Sequence, residues 1–344
     1  MNSGAMKLGI TMPTRTVALA RVPEYARWAE EAGLDSAWDW ELYRNPFTML
    51  AMSAGTTSRI GLGTGIGVTA SRSPFEMANA AADIDELSGG RMLLGIGSGV
   101  LEFASAFHDK PPTKPLTRVS EYIDVLRLAW QYVATGEAPE YSGQFHSFTP
   151  PPFNPWGVRH LERPTIPIYL GAIGPRMLEL VGRKADGWIG YLATPSLVRD
   201  QVRPGIATGA EAAGRSLEDI DIMLELICVV HDDPDVAMER ARRQVGFYVA
   251  HPSSDPIVAH ARLTDEVNGL RMSLFTEGLA AFEKTPDAVV RAFSITGTPD
   301  QARERLAEWE GIVDHLVFHT PYVPPFTAEE SEDAYRNILD AFRR

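Results

Sequence analysis

The chain has 344 residues, of which 44% are hydrophobic and 22% charged, with 32 basic against 45 acidic side chains and a net charge of −13. The acidic balance argues against nucleic acid or an anionic membrane as a partner, because both attract basic surfaces, and the composition does not suit a disordered chain. The single cysteine, Cys228, rules out an intramolecular disulfide and a multi-cysteine metal site; with no bilayer-length apolar run and no secretory pattern at the start, a soluble cytoplasmic protein is expected.

Short apolar runs alternate with helical segments. Lys7–Met12 reads as a buried strand. A helix follows with Pro23 in its first turn, where proline costs no hydrogen bond. Asp35–Leu42 is the second strand, Pro46–Ser58 a helix, and Arg59–Val68 the third strand. Ser73-Pro74-Phe75-Glu76 is a helix-start signal: serine caps, proline takes the first position, and glutamate sits three residues on. Arg91–Ser98 is the fourth strand. Arg118–Ala134 has the strongest helical period, with Val119, Tyr122, Ile123, Leu126, Trp130 and Val133 on one stripe. Ile166–Ala172, Gly187–Leu192, Asp219–Val230 and Val313–Thr320 complete the strands, and Thr298-Pro299-Asp300-Gln301 caps the helix before the last one.

Eight apolar strands alternating with helices predict an α/β fold, a (β/α)8 TIM barrel with a parallel sheet. A closed barrel needs about 250 residues, so about 90 remain for insertion segments. Two stretches qualify: residues 136–164, rich in proline and aromatics, and residues 232–295, long and mostly helical. One elaborated domain over residues 6–344 is expected.

Three glycine clusters lie at the C-terminal ends of predicted strands: Gly61 to Gly67, Gly95 to Gly99, and Gly171-Ala172-Ile173-Gly174. In a barrel that end carries the active site, and glycine lets a flat ligand or a phosphate approach the backbone. Taken singly, each also suits a tight turn. None matches GxGxxG, and GxxxxGK[ST], GxSxG and HExxH are absent. The third cluster runs into Pro175-Arg176, so a glycine turn feeds a helix whose free N–H groups point outward. Such an end favours a phosphate, and Arg176 can add a charge-assisted bond; a plain helix start with a surface arginine fits as well. Glu41, after Trp38-Asp39-Trp40, is a candidate proton donor or cofactor ligand, or a solvated loop acid. His315 and His319 share one face of the last strand, and His319 is nearer its C-terminal end. No metal site is expected.

Several segments carry a family resemblance: SRIGLGTGIGVTASRSPFEMANAAADIDELSGGRMLLGIGSG, RVSEYIDVLRLAW, IPIYLGAIGPRMLELVGRKADGW and SITGTPDQARERL. With them the chain resembles the bacterial luciferase-like superfamily of flavin- and deazaflavin-dependent oxidoreductases, and most of all its coenzyme F420 branch. The resemblance implies a TIM barrel, usually dimeric, with the ring of the cofactor in the barrel mouth. It implies a non-prolyl cis peptide behind that ring, at Gly65–Ile66 here, with Ser98, Gly99 and Val100 lining the ring. It places the phosphate at Gly171, Ala172, Ile173, Gly174, Pro175 and Arg176, with a further contact at Thr194. It also implies hydride transfer to or from a small-molecule substrate.

Two positions depart from the relatives. Several deazaflavin enzymes carry Asp-His at the end of the second strand, where this chain has Glu41-Leu42. Val100 stands where some relatives place a catalytic glutamate. Glu41, Tyr43 and His319 are left as candidate proton donors. An FMN-dependent two-component monooxygenase and a non-enzymatic cofactor-binding protein are the alternatives on the same fold. The oligoglutamate tail of coenzyme F420 would favour basic side chains leading outward, and Arg176, Arg183 and Lys184 are the candidates. Phe145, Phe148, Phe153, Trp156, Phe247 and Tyr248 are candidates for an apolar substrate wall, or for packing under long loops.

Overall fold

Each apolar run read from the sequence becomes a strand, because helices on one side and neighbouring side chains on the other give it two dry faces. The structure, a computed structural model, describes residues 5–100, 105–107, 113–153, 155 and 157–344. Among these, the strands are β1 (Lys7–Thr11), β2 (Ser36–Asp39), β3 (Gly61–Thr64), β4 (Gly67–Val68), β5 (Met92–Gly97), β6 (Tyr141–Ser142), β7 (Ser147–Phe148), β8 (Ile168–Gly171), β9 (Gly187–Tyr191), β10 (Asp221–Val230), β11 (Ser294–Gly297) and β12 (His315–His319). The sheet runs β1-β2-β3-β5-β8-β9-β10-β12 and returns to β1, a closed eight-stranded parallel barrel with helices between strands. The eight barrel strands are the eight expected, and the TIM-barrel expectation holds. Among the described residues, no helix is long and apolar enough to cross a membrane.

The chain divides into two compact units. One comprises Met1–Ala37, Gly190–Pro204 and Asp221–Arg344. Here β12 lies between β1 and β10, with His315 opposite Lys7 on one side and Met223 on the other. Gly9 has no room for a side chain, since a Cβ would come within 2.2 Å of the Ser36 hydroxyl. The C-terminal helix Ala328–Ala341 opens with a complete capping box between Thr327 and Glu330, and Phe342 beyond it stacks on Phe318 at 4.2 Å.

The other unit comprises Trp38–Ile189 and Gly205–Ile220. Its core is built from aromatics set against glycines. A Cβ on Gly63 would lie 2.2 Å from the Trp38 ring, and one on Gly187 would lie 2.2 Å from the Tyr169 ring. The two rings meet edge to face at 5.7 Å. Helix Pro115–Thr135 buries its apolar stripe, and the Trp130 indole N–H donates to the Ala78 carbonyl (2.9 Å).

Three elements differ from the sequence reading. The expected third strand, Arg59–Val68, breaks at Gly65–Ile66, and only β4 resumes pairing, now with β5. Within residues 136–164 the chain forms the antiparallel hairpin β6–β7. Its turn is held by buried Glu121, whose carboxylate accepts from the backbone N–H groups of Gln144, Phe145 and His146 at 2.8–2.9 Å. Burial alone would raise that carboxyl, but the three N–H donors outweigh it and hold it below the ordinary value. Within residues 232–295, helices Pro234–Val249 and Thr264–Glu277 match the helical expectation. β11 at its edge is not expected from the sequence; it pairs with Ile227–Val230 of β10, which overlaps the stretch paired with β12 only at Ile227.

Candidate functional site

The broken third strand is the centre of the site in the second unit. The Gly65–Ile66 peptide is cis. The backbone around it turns toward the end of β2: the Gly65 N–H donates to the Asp39 carbonyl (2.7 Å), and the Glu41 N–H donates to the Ile66 carbonyl (3.2 Å). Glu41 then closes the loop with its side chain. Its Oε2 accepts from the Val68 N–H (2.7 Å) and from the Arg72 guanidinium (2.8 Å). Both side chains are nearly buried, so this ion pair is shielded from water. Arg72 also reaches Glu76 at 3.1 Å. Arg72 was not singled out in the sequence, because its pairing with Glu41 spans 31 positions.

The glycines explain where the Ile66 side chain goes. A Cβ on Gly97 would lie 2.5 Å from Ile66 Cδ1, and one on Gly171 would lie 3.7 Å from its Cγ2. Ile66 therefore lies across the ends of β5 and β8. Gly95 admits the Thr64 carbonyl, which would stand 1.8 Å from a Cβ. Much of the glycine in the clusters thus receives protein atoms, and close approach of a ligand is left to fewer positions than the sequence suggested.

Two positions are less crowded. Gly99 adopts a left-handed conformation (φ 68°), where a Cβ would meet Val68 Cγ1 at 3.4 Å, and is followed by half-buried Val100. The Ser98 hydroxyl donates to the Gly99 carbonyl (3.2 Å). At Gly174, a Cβ would meet nothing within 4 Å. Gly174 is the N-cap of helix Pro175–Lys184, no side chain caps it, and Ile173, Gly174, Pro175 and Arg176 all face solvent. Buried Ala172 anchors the turn by accepting from the Trp188 indole N–H (2.8 Å). An uncapped helix start with an open glycine suits a phosphate. Arg183 and Lys184 do not extend that mouth. They lie in the last turn of the same helix and pair with Glu179 (3.4 Å) and Asp124 (2.6 Å). Tyr43 is 76% exposed and meets Phe107 edge to face at 6.2 Å.

In the first unit, Thr194 caps the short helix Pro195–Leu197, accepting from the Leu197 N–H (3.2 Å), and shares a hydrogen bond with the Ser196 hydroxyl (3.1 Å). His319, the last residue of β12, is 2% exposed. Its imidazole is ringed edge-on by Tyr191 at 5.1 Å, Tyr322 at 5.7 Å and Tyr248 at 6.1 Å, and its Nδ1 is 3.6 Å from Glu225 Oε2. Glu225 carries one sequence signal: past the opening Asp221, it is the one acid in the apolar run DIMLELICVV. Of the tyrosines, Tyr248 is among the aromatics expected to wall a substrate, while Tyr191 and Tyr322 carry no sequence signal, because they come from separate segments.

The expected aromatic wall scatters. Phe145 lies under the Arg118 guanidinium at 3.9 Å, Phe148 stacks on Phe75 at 5.7 Å, and Phe153 is exposed. Phe247 packs on Tyr248 and Phe282, Tyr248 joins the His319 cluster, and Trp156 lies outside the described residues. Among the described residues, no group of three His, Cys, Asp or Glu gathers as a metal ion requires.

The sequence model of the luciferase-like monooxygenase family matches residues 6–316. This chain belongs to that family. Among its relatives is a 5,10-methylenetetrahydromethanopterin reductase of Archaeoglobus fulgidus, 32% identical over 295 residues, covering 83% of this chain and 84% of the relative. Another is an F420-dependent glucose-6-phosphate dehydrogenase of Nocardia farcinica, 28% identical over 361 residues, with 99% and 97% covered. Among solved structures, the coenzyme F420-dependent tetrahydromethanopterin reductase of Methanopyrus kandleri superposes with a TM-score of 0.81 at 25% identity, covering 98% of this chain and all of that one. In a luciferase-like barrel, strand-end turns such as Gly174–Arg176 and the Glu41-held loop are the parts that vary with function.

Proposed function

We propose that this chain is an oxidoreductase that moves a hydride between coenzyme F420 and a small organic molecule bearing a carbonyl, an alcohol or an activated C=C bond. The observation that carries the cofactor assignment is the cradle at Gly174: an uncapped ten-residue helix start, a glycine with open space beside it, and an exposed Arg176. These residues fit the phosphate of a flavin-like cofactor, and the relatives of this chain include enzymes named for F420. Bound there, the deazaflavin supplies the hydride chemistry.

The chain's residues have separate tasks in this reading. Gly171, Ala172, Ile173, Gly174, Pro175 and Arg176 hold the phosphate. The Gly65–Ile66 turn backs the ring, and Ser98, Gly99 and Val100 line it. Glu41 fixes that turn through the Val68 N–H and Arg72, so it is a positioning residue. Reduction of a carbonyl adds a hydride to carbon and a proton to oxygen; oxidation of the alcohol removes both. Of the three proton candidates, Glu41 has one oxygen engaged by two donors, and Tyr43 is exposed. His319 is buried beside a carboxylate, and the proton is assigned to it.

The test is turnover under anaerobic conditions. Purified protein is mixed with reduced coenzyme F420 and a panel of ketones and enones, and recovery of the oxidised coenzyme's visible absorbance is followed. Recovery above the protein-free rate, lost in His319→Asn with coenzyme binding intact, is expected. Tight coenzyme binding with no turnover in either direction across ketones, enones and alcohols would overturn the enzymatic reading.

A further inference from the structure

β10 and β12 carry two imidazole–carboxylate pairs, one at each end of the same strand pair. Asp221 and Glu225 are four residues apart on β10, and His315 and His319 are four apart on β12. In the ladder Met223 faces His315, and Ile227 faces His319. The alternation of side chains therefore puts all four groups on one face. Nδ1-to-carboxylate distances are alike: 3.8 Å for His315 and 3.6 Å for His319.

The two pairs differ in what else they touch. At the N-terminal end of the strands, His315 Nε2 shares a hydrogen bond with the Ser36 hydroxyl (2.8 Å), and Asp221 accepts from Lys7 Nζ (3.0 Å). At the C-terminal end, His319 Nδ1 and Nε2, Glu225 Oε1 and Gln244 Nε2 have no hydrogen-bond partner among the described residues. All three side chains are buried, at 2%, 4% and 1% exposure. Buried polar atoms are nearly always hydrogen-bonded, so several unpartnered ones in one cluster are far from the usual pattern.

The cluster is otherwise well held. Gln244 Oε1 accepts from the Tyr322 and Val323 N–H groups at 2.9 and 3.0 Å, which fixes its amide nitrogen in place. The hydroxyls of Tyr248 and Tyr322 are hydrogen-bonded to each other. Burial pushes the phenols of Tyr191, Tyr248 and Tyr322 above their ordinary value, so they remain neutral hydroxyls. The three tyrosine side chains are themselves half-buried.

We infer that His319, Glu225 and Gln244, walled by Tyr191, Tyr248 and Tyr322, form a subsite for the uncharged oxygen of a small ring-bearing molecule, a hydroxyl above all. Glu225 Oε1 accepts its proton, and Gln244 Nε2 or His319 donates to its oxygen. The ring edges of the tyrosines favour an aromatic or cyclic body. An anionic group is disfavoured, because Glu225 would face it. Arg15 lies over the Tyr322 ring (4.6 Å) and is engaged with that phenol. This deepens the proposed oxidoreductase reading by narrowing its substrate class, and it rests on that reading only in calling the bound molecule a substrate.

The test needs no coenzyme. Benzyl alcohol and benzoate have the same ring and differ in charge, and their binding is measured by ligand-observed NMR. The wild-type protein is expected to bind benzyl alcohol at least about tenfold more tightly than benzoate, since a like charge opposite a buried carboxylate is penalised. The near-isosteric Glu225→Gln is expected to bring that preference below about threefold by removing the charge. His319→Asn, as a second variant, is expected to weaken benzyl alcohol at least about fivefold, the loss of roughly one hydrogen bond. Equal binding of the two ligands by the wild type, no binding of benzyl alcohol, or a preference unchanged in a folded Glu225→Gln would overturn the subsite. Alcohol binding of the expected kind without F420 turnover would leave the subsite standing and remove the oxidoreductase reading; turnover without alcohol binding would do the reverse.

Discussion

At the scale of single residues, glycines of similar sequence context do opposite things. Gly63 and Gly97 make room for Trp38 and Ile66, at 2.2 and 2.5 Å from where a Cβ would stand. Gly174 has open space and an ordinary φ of −77°. Gly63→Ala and Gly97→Ala should each destabilise the protein by at least about 1–3 kcal/mol, the cost of overpacking a filled core. Gly174→Ala should cost no more than about 1 kcal/mol in stability, as for a glycine-to-alanine change at an N-cap, yet weaken coenzyme binding by crowding the phosphate. Denaturant unfolding and coenzyme titration of the three variants separate these outcomes; a destabilising Gly174→Ala with intact binding would reverse the assignment. Glu41→Gln keeps the shape but removes the charge that faces Arg72. A loss of about 1–3 kcal/mol, read by denaturant unfolding, is expected for a charge-assisted bond in a nearly buried pair. The glycine runs marked the right strand ends in the sequence, but which of them face a ligand depends on neighbours up to 105 positions away, as with Gly171 against Ile66. The same holds for His319: its place at the strand end was legible, and its tyrosine ring was not.

At the scale of elements, helix starts were the most legible features, because their chemistry is local. Thr298 and Gln301 form the full capping box expected, while Ser73 accepts from the Glu76 N–H (3.2 Å) as the same motif predicts. Hairpin β6–β7 was hidden, since two-residue strands give no alternation to read; it is held by Glu121 from another helix. Glu121→Ala removes the acceptor of three backbone N–H groups, and faster amide exchange at Gln144, Phe145 and His146 is expected, with a cost of about 1–3 kcal/mol. Helix Val22–Glu31 and helix Ala328–Ala341 are joined through Glu332, which accepts from Arg21 (2.5 Å), the Tyr25 hydroxyl (2.8 Å) and Arg336 (2.9 Å). The Arg21 hydrogen bond leads in holding the Glu332 carboxyl down at about 2, from an ordinary 4.5. A depressed carboxyl favours the folded state above its unfolded pKa, and that contribution is lost as pH falls from about 4.5 through about 2. Glu332→Gln should therefore flatten the acid limb of the stability curve in that window; an unchanged limb in thermal melts across pH would contradict the network.

At the scale of the whole molecule, the strand–helix alternation sufficed for the barrel, because a parallel strand buried on both faces is a continuous apolar run. The cut at Gly65–Ile66 was not visible in that alternation. RIGLGTGIGV reads as one strand, and what divides it is long-range: the Gly65 N–H donates to the Asp39 carbonyl and the Glu41 N–H donates to the Ile66 carbonyl. Membership of the luciferase-like family joins the fold to a cofactor class, and the central claim is that this chain takes coenzyme F420. It is tested most directly by titrating the purified protein with coenzyme F420 and with FMN, read by quenching of its seven tryptophans. Micromolar or tighter binding of F420, with FMN weaker by at least about tenfold (about 1.4 kcal/mol), is the predicted result. A preference for FMN would make this a flavin enzyme of the same fold, and binding of neither would contradict the account.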